Sequence, residues 1–202
     1  MLYFLTKFSN SLLVADVRNR LLQPERQLIR KKDECGNTPL HHAVYSCEDI
    51  DTIELLLEKD ASAATILNSH GLSPVHLAVR LGRKELIKPL IKHCPDSCII
   101  TTIEGQNALH IAMKKRKRIV ARKILKHNED NYLILSQQDK DGNTPLHIAA
   151  SLGDFDTYMD VCVGMEHLLA LTNKKGLSIV DCNDDYCPTE VRVIMSLIVI
   201  AA

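Results

Sequence analysis

The stretch Asp139-Lys140-Asp141-Gly142-Asn143-Thr144-Pro145-Leu146-His147-Ile148-Ala149 decides how the chain is read, because versions of it recur four more times. They are Asp33-Glu34-Cys35-Gly36-Asn37-Thr38-Pro39-Leu40-His41-His42-Ala43, Asn68-Ser69-His70-Gly71-Leu72-Ser73-Pro74-Val75-His76-Leu77-Ala78, Thr102-Ile103-Glu104-Gly105-Gln106-Asn107-Ala108-Leu109-His110-Ile111-Ala112 and, more divergently, Asn173-Lys174-Lys175-Gly176-Leu177-Ser178-Ile179-Val180-Asp181-Cys182-Asn183. The five glycines follow one another at intervals of 35, 34, 37 and 34 residues. A fixed period of this length marks units that stack side by side rather than one globular centre.

Each recurring position has a physical reason. Three residues before the glycine stands Asp33, Asn68, Thr102, Asp139 or Asn173, a short polar side chain that bonds its own backbone and closes a turn. The glycine supplies the positive φ that a tight hairpin requires. Two residues on, Thr38, Ser73, Asn107, Thr144 or Ser178 offers an oxygen to the free N–H groups of a following helix. Pro39, Pro74 and Pro145 fall at the first helical position, where a missing N–H costs nothing.

Apolar spacing then becomes helical. Leu40, Val75, Leu109 and Leu146 stand three residues before Ala43, Ala78, Ala112 and Ala149, on one face where the small alanine lets neighbouring helices approach. Gly82 and Gly153 end that helix in two of the units. A second helix returns through Ile53, Leu56 and Leu57; Leu86, Leu90 and Ile91; Val120, Ile124 and Leu125; and Thr157, Val161 and Cys162. Each helical pair has one apolar stripe that it cannot hide alone, and stacking hides it.

The pattern resembles the ankyrin repeat, a unit of about 33 residues with Thr-Pro-Leu-His-x-Ala at the head of its first helix, over roughly Lys32 to Cys182. The resemblance implies an all-α fold: an ankyrin-repeat solenoid of helical hairpins with short connecting β-hairpin loops. It divides the chain into an N-terminal helical cap or degenerate repeat (1–31), about five repeats (32–183), and a C-terminal cap or the start of an apolar membrane helix (184–202). It also implies that His41, His76, His110 and His147 bond within and between hairpin loops. Their spacing independently opposes a metal reading: one histidine per repeat leaves about 8–10 Å between neighbours, too far for ligands that must sit near 2 Å from a shared ion.

Departures from the pattern are informative. Asn107-Ala108 replaces the Thr/Ser-Pro start in the third repeat, an expected loss of about 0.4–1 kcal/mol. Ile179, Asp181 and Asn183 replace Pro, His and Ala in the fifth, as suits a terminal unit. The loops before Gly71, Gly105 and Gly142 exceed the family minimum and look like those of plant ankyrin-repeat membrane proteins of the PGG-domain type. The run Met195 to Ala202 is similar to the opening of the first membrane helix in such proteins, so the reading includes truncation before those helices.

Composition bounds the function. Of 202 residues, 46% are apolar but only 4% aromatic, and 25 Lys+Arg balance 25 Asp+Glu. Zero net charge argues against a general polyanion binder, so nucleic acid is not an expected partner. Seven scattered cysteines and the lack of any Asn-x-Ser/Thr acceptor fit reduced thiols in the cytoplasm. The apolar residues 1–8 lack the layout of a signal peptide. Asn10-Ser11 reads as the cap of a helix through Leu13, Val14, Val17 and Leu21, and the apolar run Val193 to Ala202 is shorter than the roughly 20 residues a spanning helix needs.

No nucleotide-loop, zinc-protease or esterase motif occurs, so no catalytic residue, cofactor or metal is assigned. Cys94 and Cys98 with His93, and Cys182 with Cys187, do not pair into a four-ligand site. The cluster Lys114-Lys115-Arg116-Lys117-Arg118 reads as a solvated face first, with nuclear import or contact with an anionic lipid surface or acidic partner as alternatives. A stacked array presents a long concave surface, and the resemblance implies protein binding there by a monomeric, non-catalytic interaction module or scaffold. Mapped onto this chain, the binding positions are Glu34, Cys35, Asn37 and Tyr45; Ser69, His70, Leu72 and Arg80; Ile103, Glu104, Gln106 and Lys114; and Lys140, Asp141, Asn143 and Ser151. Tyr45 and Leu72 read as the apolar anchors. The alternative is the cytosolic regulatory part of a membrane-anchored signalling protein, at the inner face of the plasma membrane.

Overall fold

The structure, a computed structural model, describes residues 26–46, 50–128, 130–154 and 166–183. The expected N-terminal helix, the second helix of the fourth repeat and the segment 184–202 with its apolar run lie outside the described residues.

Each repeat begins with a turn whose bonds follow one rule. In the first, Asp33 Oδ1 accepts from the N–H groups of Cys35 and Asn37, both at 2.8 Å, while Gly36 N–H donates to the Asp33 carbonyl at 2.9 Å and Asp33 N–H to that of Asn37 at 3.0 Å. Asn68, Thr102, Asp139 and Asn173 make the same pair of side-chain bonds in their own turns. The side chain substitutes for a strand partner, so the loops close as turns. Among the described residues the β component is a single isolated bridge, between Thr172 and Ser178.

After α1 (Arg26–Arg30), the first helices of successive repeats are α2 (Pro39–Ser46), α4 (Pro74–Leu81), α6 (Ala108–Lys114) and α9 (Pro145–Ser151); the second helices are α3 (Ile50–Lys59), α5 (Lys84–His93) and α7 (Arg118–His127). Ser73, Asn107 and Thr144 cap α4, α6 and α9 as expected. First helices pack in one row and second helices in another, around a continuous aliphatic core that includes Leu40, Ala43, Ile53, Leu56, Val75, Ala78, Leu86, Leu90, Leu109, Ala112, Ile124, Leu146 and Ala149.

The lengthened loops are not loose. They fold as 3-10 turns at Ala61–Thr65 and Pro95–Cys98 and as α8 (Asn131–Ser136), and a further 3-10 turn, Glu166–Ala170, precedes Gly176. Together these bury Ala63, Ala64, Cys98, Ile134, Leu135, Leu168 and Leu169. Asp60 caps the first through Ser62 N–H at 3.2 Å and is itself held by Arg30 Nε at 2.6 Å. The insertions thus give the array a third row of short elements.

Two departures in the third repeat resolve differently from the sequence expectation. Asn107 compensates for its missing proline: Oδ1 accepts from Leu109 and His110 N–H at 2.9 and 3.0 Å, while Nδ2 donates to the Ile134 carbonyl and Gln137 Oε1, both at 2.8 Å. No hydroxyl could tie the helix start to α8 in this way. Arg116, not glycine, takes the left-handed position after the first helix, with φ 52°, where Gly82 and Gly153 have 74° and 64°.

The hairpin glycines also set how closely repeats stack. A Cβ on Gly142 would meet Lys174 N at 2.6 Å, whereas one on Gly176 would meet nothing within 4 Å among the described residues, and their φ values are 78° and 74°. Alanine at either site pays the left-handed cost of about 1–2 kcal/mol; only Gly142→Ala also pushes the next hairpin away. Urea denaturation of the two variants should show Gly142→Ala losing at least twice the stability that Gly176→Ala loses, and equal losses would contradict the stacking role.

Candidate interaction surface

The hairpin turns and the ends of the first helices form one side of the array, and its rigidity comes from the histidine at the third helical position. His41, His76, His110 and His147 are buried. In each, Nδ1 accepts from the backbone N–H of the capping residue Thr38, Ser73, Asn107 or Thr144 at 3.1–3.2 Å. A backbone N–H can only donate, and at His41, His76 and His147 the hydroxyl of the cap can also turn its hydrogen to Nδ1, so Nδ1 carries no proton and the hydrogen sits on Nε2. At His110 the cap instead sets an acceptor, Asn107 Oδ1, 2.8 Å from Nδ1, which opposes that tautomer in the third repeat alone. That Nε2–H donates to the next repeat: His41 to the Leu72 carbonyl, His110 to that of Asn143, both at 2.9 Å, and His147 to that of Leu177 at 3.2 Å. His76 departs from the series and reaches the Ile100 carbonyl at 2.9 Å.

Further bonds join the hairpins directly. Ser69, Lys140 and Lys174 N–H donate to the carbonyls of Cys35, Glu104 and Asp141 at 3.0–3.1 Å. Asn68 and Asn173 Nδ2 donate to Asn37 and Asn143 Oδ1 at 2.8 and 2.9 Å. Between the second and third hairpins an apolar contact takes over: the Ile103 side chain lies against Gly71. In the fifth repeat Asp181 keeps the inner half of the arrangement, its carboxylate accepting from Ser178 N–H at 2.9 Å and Oγ–H at 2.6 Å, and a carboxylate has no ring N–H to pass on.

Twelve of the sixteen positions assigned to binding are exposed: Glu34, Cys35, Tyr45, Ser69, His70, Arg80, Ile103, Glu104, Lys114, Lys140, Asp141 and Ser151. The other four, Asn37, Leu72, Gln106 and Asn143, are half-buried, and their polar groups or carbonyls serve the turns and the inter-hairpin bonds. They immediately follow the glycine, where stacking claims them. Leu72 is therefore a poorer anchor than its sequence position suggests. Tyr45 is 57% exposed and Ile103 63%, and Leu81, which the sequence reading missed, is also exposed. Tyr45, Arg80, Lys114 and Ser151 occur once per repeat at the ends of α2, α4, α6 and α9.

Within the described residues no three His, Cys, Asp or Glu side chains are grouped to hold a metal. Burial pushes the Cys98 thiol up to about 12 and raises that of Cys94, which keeps both protonated and unreactive. No described helix is long and apolar enough to cross a membrane.

The family model for ankyrin repeats (3 copies) matches residues 12–101 and 86–159. The chain belongs to the ankyrin-repeat family. The crystal structure of the ankyrin repeat protein EF0377 superposes with a TM-score of 0.72, covering 95% of this chain and 94% of the other at 23% identity, a likeness of fold. An ankyrin repeat protein of Fowlpox virus (strain NVSL), FPV233, is 46% identical over 48 residues, which are 24% of this chain and 9% of the viral protein. The human transient receptor potential cation channel subfamily A member 1 is 33% identical over 67 residues, 33% of this chain and 6% of the channel. The matches thus span less than a tenth of either relative's length. Ankyrin repeats generally serve as protein-binding modules, and the family is typically non-catalytic.

The histidines make the ankyrin array acid-sensitive. Burial pushes His41, His76 and His110 down to about 4, although the carbonyl each one faces acts in the opposite direction. Burial also lowers His147. The unfolded value is near 6.5, so the unfolded chain binds more protons than the folded one between these limits. Stability is full above about pH 6.5 and falls as pH drops towards 4, by up to the order of 3 kcal/mol for each of the three strongly shifted rings. Urea midpoints measured from pH 7.5 to 4.5 should decline steeply below pH 6.5; a flat profile would refute the buried neutral assignment.

Proposed function

We propose that this ankyrin array is a non-catalytic scaffold that binds another protein along the concave side made by its hairpin turns and first-helix ends. The single observation behind this reading is the once-per-repeat row of exposed side chains at Tyr45, Arg80, Lys114 and Ser151 beside the exposed turn residues. Rigid mounting lowers the ordering cost of association, and Tyr and Arg are the side chains that most often dominate binding energy. With Arg80 and Lys114 at its middle and Tyr45 and Ile103 as apolar contacts, the row suits a partner carrying acidic and apolar side chains together. The substitutions Tyr45→Ala, Arg80→Ala and Lys114→Ala, combined, should leave the melting transition within a few degrees of wild type. Recovery of the partner from a cell extract by the immobilised chain should fall at least tenfold, and undiminished recovery would overturn the surface assignment.

A second reading places the array on the cytosolic side of a membrane-anchored signalling protein of the PGG-domain type. The apolar composition of Val193 to Ala202 supports it, as does the partial similarity of the repeats to a membrane channel. Under this reading the full gene product stays with membranes through high-salt washing; release into the wash contradicts it.

A further inference from the structure

The row of second helices has its own charge pattern, on the side away from the hairpin turns. Helix α3 carries Asp51, Glu54 and Glu58 against a single Lys59. Its neighbour α5 carries exposed Lys84, Lys88 and Lys92 with one acid, Glu85, which lies 3.9 Å from Lys84 Nζ. Helix α7 has Arg118, Arg122, Lys123 and Lys126 and no acid. α5 and α7 pack against one another along the row, and Lys123 Nζ reaches the Lys84 carbonyl at 3.0 Å, so their basic residues form one field. The turn before α7 extends it with exposed Lys115.

The ring of His127 registers this field. It is pushed below its ordinary value by desolvation first and then by the charges of Lys126, Lys88 and Lys123, so ammonium groups of both helices act on one imidazole. Like charges repel one another here, and helix packing holds them together. An anionic surface would relieve that repulsion.

The type of cation and the nearby apolar residues narrow the choice of partner. The two guanidinium groups at the helix turns are occupied: Arg83 Nη2 donates to the Tyr45 carbonyl at 3.5 Å and Arg116 Nη2 to that of Leu152 at 2.5 Å. Lysines outnumber the two α7 arginines, Arg118 and Arg122, on the face. A lysine is a point charge on a flexible stem, suited to phosphates that shift position, whereas a fixed carboxylate is better matched by the planar arginine fork. Ile119 is 56% exposed and shares a helical face with Arg122, Lys123 and Lys126, and beyond the end of α7 Tyr132 and Leu133 are exposed as well. Basic side chains flanked by exposed aliphatic and tyrosine groups fit the headgroup layer of an anionic bilayer. We propose that the α5–α7 face docks on a membrane surface rich in anionic phospholipid, independently of the protein-binding side.

Vesicle co-sedimentation with the whole 202-residue chain tests this. One set of vesicles is pure phosphatidylcholine and the other contains about a third phosphatidylserine. Binding is expected to the second alone and to weaken with added salt. The combined substitutions Lys88→Gln, Lys123→Gln and Lys126→Gln should lower it about a hundredfold, from roughly one unit of membrane attraction per basic residue. A control with the same charge change on the hairpin side, Lys140→Gln, Lys174→Gln and Lys175→Gln, should bind like wild type, and Ile119→Ala should weaken binding severalfold. Equal losses in both triple variants would show that overall charge and not this face is responsible, and would overturn the proposal. So would an absence of vesicle binding, whether or not polyglutamate is captured; capture would assign the face to an acidic protein segment. Circular dichroism melting checks that each variant is folded, and none of these outcomes bears on the protein-binding row.

Discussion

The interaction on which the array depends is the bond from an imidazole N–H of one repeat to a backbone carbonyl of the next. The capping residue fixes which ring nitrogen carries the proton, because its backbone N–H occupies Nδ1. The remaining Nε2–H is then aimed along the stacking direction, at 2.9–3.2 Å from its acceptor in all four instances. One side chain therefore starts its own helix and positions its neighbour. Burial keeps the ring neutral, and neutrality is what allows the ring to accept on one side and donate on the other. The hairpins approach closely in the same register through Gly36 and Gly142, with their cross-hairpin backbone bonds. The fifth repeat makes the point by difference. Asp181 preserves the cap but a carboxylate has no N–H to donate forward, and no described residue lies within 4 Å of a Cβ placed on Gly176.

Much of this was legible in the sequence because it is local. The turn residue three before each glycine, the positive φ, the caps and the proline at the first helical position all act within about ten residues, and the structure has them where the pattern predicts. What the sequence did not disclose depends on partners from another repeat. Asn107 looked like a weakened helix start, and its compensation lies with Ile134 of α8 and Gln137 just after it. Arg116 in the left-handed region is invisible without the backbone. The long loops suggested only extra length, yet their alanines, Cys98 and the Ile134-Leu135 pair bury a third row of elements.

The candidate surface was legible to the same extent and for the same reason. Tip and helix-end residues could be placed by counting from the glycine, and they are exposed. The residue after the glycine could not be judged, because Asn37 and Asn143 are consumed by bonds from the next hairpin. The balanced charge of the whole chain also concealed its distribution. Acidic α3 and basic α5 and α7 are neighbours in one row, a polarity that appears only once the second helices are laid side by side. The stack thus presents two distinct sides: mixed charge with Tyr45 and Ile103 on the hairpin side, and a gradient from acid to base along the second helices.

The most direct test of the account is the state of the four histidine rings, read by nitrogen-detected NMR of the imidazoles at pH 7. His41, His76, His110 and His147 are all expected to be neutral, protonated on Nε2, with ring N–H protons protected from exchange with water. Rings protonated on Nδ1, or rings that exchange freely and titrate near 6.5, would contradict it, since neither could hold one repeat to the next.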